Sequence, residues 1–167
     1  KENNKDYQVI DENNIKYSSC EQYMMYHKAK IFKDEKIAEE IMSIKDVKKI
    51  KALGRQVKNF NINIWDQHKF NIIVKANYLK FSQNRFFKEE LLSYKDLIFV
   101  EASPYDKIYG VGLHYSDDKI LDEKNWQGEN LLGKALNEVV KLLELDLNKA
   151  LNEVVNLLEL DLNNKHM

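Results

Sequence analysis

The chain is poor in the residues that staple or punctuate a fold. Its 167 residues include one cysteine, one proline and five glycines. Cys20 has no second cysteine to pair with, so no internal disulfide forms and a reducing, cytoplasmic setting is the default expectation. No run of about twenty apolar residues occurs, which leaves no segment able to cross a membrane as a single hydrophobic helix. The opening residues, Lys1 to Asp6, are polar and expected to fray, and they lack the apolar core of a secretory leader. An excess of one charge is missing too: 26 basic residues face 27 acidic ones, a formal net charge of −1. Such a balance gives no chain-wide positive field to draw the molecule to nucleic acid or a membrane surface, although a local basic patch is compatible with it. His27, His68, His114 and His166 show no metal-ligand spacing, so no metal site is expected, and nothing else points to a cofactor. Neither a GxSxG nor a Walker motif is present.

What is present suits one domain with a real core. Hydrophobic residues make up 44% and charged residues 32% of the chain, as in soluble globular proteins. The stretch from Tyr17 to Phe32 organises the reading. Ser18 precedes Glu21 by three residues and Ser19 precedes Gln22 by three, two overlapping capping-box patterns, so a helix starts at one serine or the other. On that helix Glu21, Met25, Lys28 and Phe32 fall on one stripe. A carboxylate and an amine thus share a face, two turns or roughly 10 Å apart, with apolar residues between them. An ordinary amphipathic helix with two exposed charges fits the same pattern.

The rest reads as a helix-rich α+β domain. Tyr7–Ile10 and Ile15–Tyr17 flank a polar turn, a short hairpin leading into the first helix. Asp34 and Asp46 are expected to cap two further helices, the first burying Ile37, Ala38, Ile41 and Met42, the second Val47, Ile50 and Leu53. Gly54 reads as a left-handed stop. Lys45, Lys48, Lys49, Lys51 and Arg55 form a charge run, most simply a solvated face, with a phosphate role for any one of them as the alternative and Arg55 the best placed for it. Phe60, Ile62 and Ile64 alternate with asparagines, which predicts a brief extended segment before a helix from about Trp65 to Phe81. Ser82 or Asn84 should cap the next helix. Leu97 to Ala102 is the clearest strand in the chain. A loop follows it, Ser103-Pro104-Tyr105-Asp106, and leads to Tyr109-Gly110-Val111-Gly112, where the glycines could let backbone N–H groups approach a ligand. The turn-rich stretch from Trp126 to Gly133 precedes a last helix that Asn130 is expected to cap.

That helix carries a near-perfect duplication. Lys134 to Asn148 reads KALNEVVKLLELDLN, and Lys149 to Asn163 repeats it with Asn156 in place of Lys141. The expected division is a domain over 1–148, a duplicate over 149–163 and a tail over 164–167. Leu136, Val140, Leu143 and Leu147 mark the apolar stripe of the first copy; Leu151, Val155, Leu158 and Leu162 mark that of the second. One copy completes a domain. The other is expected to pack on a partner chain, giving a homo-oligomer through 134–163, or to replace the first copy on the domain.

Several segments, taken in order, carry a resemblance: YSSCEQYMMYHKA, KALGRQV, a Trp before a long helix, KFSQN, VEASPYDKIYGVGL and WQGENLLGKAL. Over about Tyr7 to Leu136 the chain resembles the NADAR family, the YbiA-like N-glycosidases acting on ADP-ribose or riboflavin-pathway intermediates. The resemblance implies hydrolysis of an N-glycosidic bond in a small nucleotide or in ADP-ribosylated guanine, with nucleic acid as a possible carrier. Such a bond breaks through a transition state with oxocarbenium character, which calls for negative charge near the ribose and a group to manage a proton. Glu21 and Asp106 are the expected carboxylate pair. Lys28 follows from the match to EQYMMYHKA, either as a donor to phosphate or sugar hydroxyls or as an amine that attacks C1 of an opened ribose. Arg55 fits the LGR step as a phosphate ligand. Trp65, Tyr105, Tyr109 and Trp126 are candidate stacking walls, although Trp65 could equally anchor the core. Tyr109 stands where family members often carry Trp. Gly110 and Gly112 belong to the GxG loop, and Asn130 could bond a ribose or phosphate oxygen instead of capping its helix. Family members carry an aromatic and Ser-Asn-Phe-Tyr segment before the hairpin that contributes to the pocket. The sequence in hand begins after it, so a module that holds ADP-ribose or a nucleotide without turnover is the alternative.

Overall fold

A computed structural model describes residue 7 and residues 9–165, with side-chain surroundings as far as residue 157. The frayed start expected over residues 1–6, the last two residues of the 164–167 tail, and the side chains of Leu158 and Leu162 lie outside the described residues.

The hairpin forms from β1 (Val9–Ile10) and β2 (Lys16–Tyr17), antiparallel, with Val9 opposite Tyr17. Asp11 closes its turn. The carboxylate accepts the Asn13 and Ile15 N–H groups and the Tyr17 hydroxyl, each at 2.9 Å. The first helix, α1 (Cys20–Ile31), starts at Ser19, whose Oγ accepts the Gln22 N–H at 3.0 Å. Gln22 reaches back to accept the Ser18 N–H at 2.6 Å, one residue further out than in an ideal capping box. Its Nε2 donates to the carbonyls of Ile41 and Ile44 at 2.9 and 2.7 Å, so a buried glutamine ties the start of α1 to the end of α2 (Glu35–Met42).

Asp34 caps α2 and Asp46 caps α3 (Val47–Gly54), as their positions predict. Met25, Ala29, Phe32, Ile37, Ala38, Ile41, Ile50 and Trp65 pack into one core cluster. Two expectations fail here. Val47 is exposed, not inside. Gly54 is not a left-handed stop; among the described glycines only Gly112, at φ 70°, has positive φ. Glycine is needed at 54 because a Cβ would collide with the Met25 sulfur, so α1 and α3 approach closely there.

The long α4 (Ile62–Gln83) packs against α1, α5 (Arg85–Ser93), β1 and the last helix, α6 (Leu131–Lys165). The extended segment expected over 60–64 is instead the entry to this helix. Asn61 Oδ1 accepts the N–H groups of Asn63 and Ile64 at 2.9 and 3.2 Å, and a side-chain cap outweighs three residues of alternation. Ser82 is inside α4, and Asn84 occupies the N-cap position of α5.

The strand expected over Leu97–Ala102 is not one: the described sheet consists of β1 and β2 only. The segment is held by two side chains of the last helix and its approach. Asn137 Nδ2 donates to the Leu97 carbonyl at 3.0 Å and its Oδ1 accepts the Phe99 N–H at 3.4 Å. Asn130 Nδ2 donates to the Phe99 carbonyl at 2.9 Å and its Oδ1 accepts the Glu101 N–H at 3.0 Å. Two carboxamides thus do along one edge what a neighbouring strand's peptide groups would do.

Both copies of the duplication lie in one continuous helix, α6 (Leu131–Lys165). The first copy completes the domain: Ala135, Val139, Val140 and Leu143 are buried against α4 and α5. The buried stripe is therefore rotated from the expected one, with Leu147 exposed. Tyr78 hydroxyl to Asp146 at 2.7 Å and Lys95 to Glu144 at 2.9 Å fasten the end of that copy. Beyond it every residue from 149 to 157 is exposed, so the second copy does not replace the first on the domain. No helix of the described residues is long and apolar enough to cross a membrane.

Candidate active site

The stripe on α1 faces a cavity of about 540 Å³, within the range typical of small-molecule sites. Glu21 and Lys28 line it from α1, with Met24 and Met25 between them. Helix α3 contributes Val47, Lys51 and Gly54, with Arg55 at its C-cap; α4 contributes Ile73, Ala76, Asn77 and Lys80. The segment after α5 supplies Glu101, Asp106 and Tyr109. The two carboxylates singled out in sequence, 85 positions apart, thus meet in one hollow.

Their surroundings differ. The Glu21 side chain is 16% exposed, with Lys51 Nζ 3.5 Å from it. Burial pushes the Glu21 carboxyl above its ordinary range; Lys51 and Arg55 pull against this, and the charge of Asp106 adds to it. Asp106 is fixed by its own loop: its Oδ1 accepts the N–H groups of Ile108 at 3.0 Å and Tyr109 at 2.8 Å. Burial thus favours the protonated form of one carboxyl group, while the other is held in place by backbone. Burial, with the nearby charges of Glu21 and Asp106, raises the Tyr109 hydroxyl to about 12.

Lys28 is anchored from below. Its Nζ donates to the Gly54 carbonyl at 2.8 Å and lies 4.3 Å from the Phe60 ring centroid and 5.7 Å from that of Trp65. Burial lowers its pKa, and the neighbouring Arg55 guanidinium lowers it further. Close packing at Gly54 thus has a second effect, since it brings a helix-end carbonyl to the cavity amine.

Six other candidates lie elsewhere. Trp65 is 5% exposed and belongs to the core beneath Lys28, so it supports the site without lining it. Tyr105 is 96% exposed. The Trp126 indole N–H donates to the Ile120 carbonyl at 2.9 Å and braces two short 3-10 turns, Asp118–Leu121 and Glu123–Asn125. Asn130 is 1% exposed, and its carboxamide neither caps α6 nor faces the cavity, being engaged with residues 99 and 101. Gly110 and Gly112 hold loop against loop. The Gly110 carbonyl accepts the Asn130 N–H at 3.1 Å, a Cβ on Gly110 would sit 2.9 Å from the Asp106 and Glu101 carbonyl oxygens, and Gln127 donates its N–H to Val111 at 2.8 Å. The GxG glycines position the Asp106 loop and do not line the cavity themselves.

Sequence reasoning did not single out Lys51, and it missed Glu101, Asn77 and Lys80. The first could have been found: Val47, Lys51, Gly54 and Arg55 recur at helical spacing along α3 and its C-cap, as Ile73, Asn77 and Lys80 do on α4. Glu101 carried no such signal, because its segment has no regular period in the structure. Among the described residues no group of three or more His, Cys, Asp or Glu is placed to hold a metal ion.

A protein of Acanthamoeba polyphaga mimivirus named as an N-glycosidase is 49% identical over 123 residues, covering 74% of this chain and 72% of the relative. Protein irg-1 of Caenorhabditis elegans is 39% identical over 127 residues, covering 75% of this chain and 60% of that protein. The family model of the NADAR domain matches residues 1–144, and the chain belongs to that family.

Proposed function

We propose that the protein hydrolyses the N-glycosidic bond of an ADP-ribosyl or phosphoribosyl-type substrate, with ADP-ribosylated guanine and riboflavin-pathway intermediates as the two candidate classes. The observation that carries this reading is the convergence of Glu21 and Asp106 on one cavity, in unlike surroundings. Two carboxyl groups whose environments differ suit an acid–base division of labour. Glu21, held toward its protonated form by burial, gives a proton to the departing base. As a carboxylate it then takes one from the attacking water. Asp106, oriented by two backbone N–H groups, supplies the fixed negative charge that stabilises positive character at C1 of the ribose. Lys28, tied to Gly54, offers its remaining N–H groups to sugar hydroxyls or phosphate, and Tyr109 provides an aromatic wall.

The test is release of free base, followed by mass spectrometry, from ADP-ribosylated guanosine and from the aminopyrimidine riboflavin precursors. Glu21→Gln should slow release by about 10²–10⁴-fold, the usual range for loss of a general acid–base group. Saturable binding with no base released by the wild-type chain would replace hydrolysis with a nucleotide-binding module.

A further inference from the structure

The cavity has an end that the chemistry above does not use. Lys80 lines it there, together with Tyr7, Ser19, Cys20 and Asn77. The Lys80 ammonium sits in a collar of rings, 4.8 Å from the Tyr7 centroid, 5.1 Å from Phe81 and 5.2 Å from Phe87. It makes no ion pair among the described residues, whereas Lys51, the cation beside Glu21, does. Asn77 is 8% exposed, its Nδ2 donating to the Ile73 carbonyl at 2.9 Å. Aromatic faces hold an ammonium in place without neutralising it. A cation so held, at a cavity wall, is ready for an anion.

Its position sets which anion. Cys20 lies at the start of α1, and Lys28 is eight residues along it, about 12 Å by helix rise. Arg55 acts on Lys28 at the far end, and Lys80 acts on Cys20 at the near end. Glu21 follows Cys20 on α1 and lines the same cavity as Lys80. The cavity lining has four cations (Lys28, Lys51, Arg55, Lys80) against three carboxylates (Glu21, Glu101, Asp106). With Lys51 paired to Glu21, the unpaired positive charge is left at the two ends.

We infer that the Tyr7–Lys80 end of the cavity is a phosphate subsite that takes the 5′-phosphoryl group of the ribosyl unit, directing the base toward Tyr109 and Arg55. This orientation rests on the hydrolase reading only for where the glycosidic bond lies; phosphate recognition itself is a matter of binding.

The experiment uses 1-O-methyl ribofuranoside with and without a 5-phosphate, probes with no free aldehyde, titrated calorimetrically into the full chain. Wild type should bind the phosphorylated probe at least tenfold more tightly than the plain one. Lys80→Met should remove that preference and Lys80→Arg should keep it, with all three proteins melting at similar temperatures. Equal preference in wild type and Lys80→Met overturns the proposal. So does loss of the preference in Arg55→Met but not in Lys80→Met, which would place the phosphate at the opposite end. The two readings fail separately. Base release with no phosphate preference removes the subsite and leaves the hydrolase. A Lys80-dependent preference with no base released from any substrate does the reverse.

Discussion

At the residue scale, the same burial that suits Glu21 for proton transfer works against the fold. Its folded-state pKa is raised above the value of an exposed glutamate, first by desolvation, with Lys51 only partly offsetting it. A group with a raised pKa contributes stability that is fully present below its unfolded pKa and is lost as pH rises through the folded one. Glu21→Gln has no such loss. Its melting temperature should match wild type near pH 4 and exceed it by pH 8, with the gap opening from about the ordinary glutamate pKa upward. Thermal melts across that range check the sign. A variant that is inactive yet more stable at neutral pH identifies a site residue; one that is inactive because it is less stable identifies a structural residue. Legibility differs here by residue. Glu21 and Lys28 could be read as neighbours because both lie on one helix, where spacing fixes the face. That Glu21 meets Asp106 could not be read from spacing, because 85 residues of chain separate them.

At the element scale, the segment from Leu97 to Glu101 shows how local pattern and tertiary partner divide the work. An apolar run predicts a strand, but a strand exists only where a second one pairs with it. Here the carboxamides of Asn130 and Asn137 take the partner's place along one edge. Because Asn130 is fully buried and bonded to both the Phe99 carbonyl and the Glu101 N–H, Asn130→Ala leaves two backbone groups unsatisfied. The loss should be about 1–3 kcal/mol in urea unfolding, and more than for the partly exposed Asn137→Ala. It should also lower base release, since Glu101 lines the cavity and its carbonyl receives the Val111 N–H that folds the Asp106 loop back. The caps behave differently. Ser19, Asp34 and Asp46 start the helices their sequences predict, because a cap needs only its own next three residues.

At the scale of the whole molecule, the duplication gives a controlled comparison within one chain. Val139 and Val154 occupy the same place in the same local sequence; the first is fully buried and the second 54% exposed. Val139→Ala should cost roughly 2 kcal/mol, from about 0.8 kcal/mol per buried methylene and the space left behind. Val154→Ala should stay within about 0.5 kcal/mol in a monomer. The second copy presents the kind of face the first buries against α4 and α5, so the full chain is expected to self-associate at high concentration. A chain ending after Asn148 should run as a monomer in light scattering with an unchanged melting temperature. Sequence alone determined the caps of the first three helices, the hairpin, the repeat and the family, since each is written in residues a few positions apart or in motifs in a fixed order. Only the tertiary structure decided which repeat is buried, which glycines serve packing, which aromatic rings miss the cavity, and that Lys80, Lys51 and Glu101 line it. The reason is physical: α4 and α5 form a single groove for α6, the first copy reaches it directly, and two identical faces cannot occupy it at once.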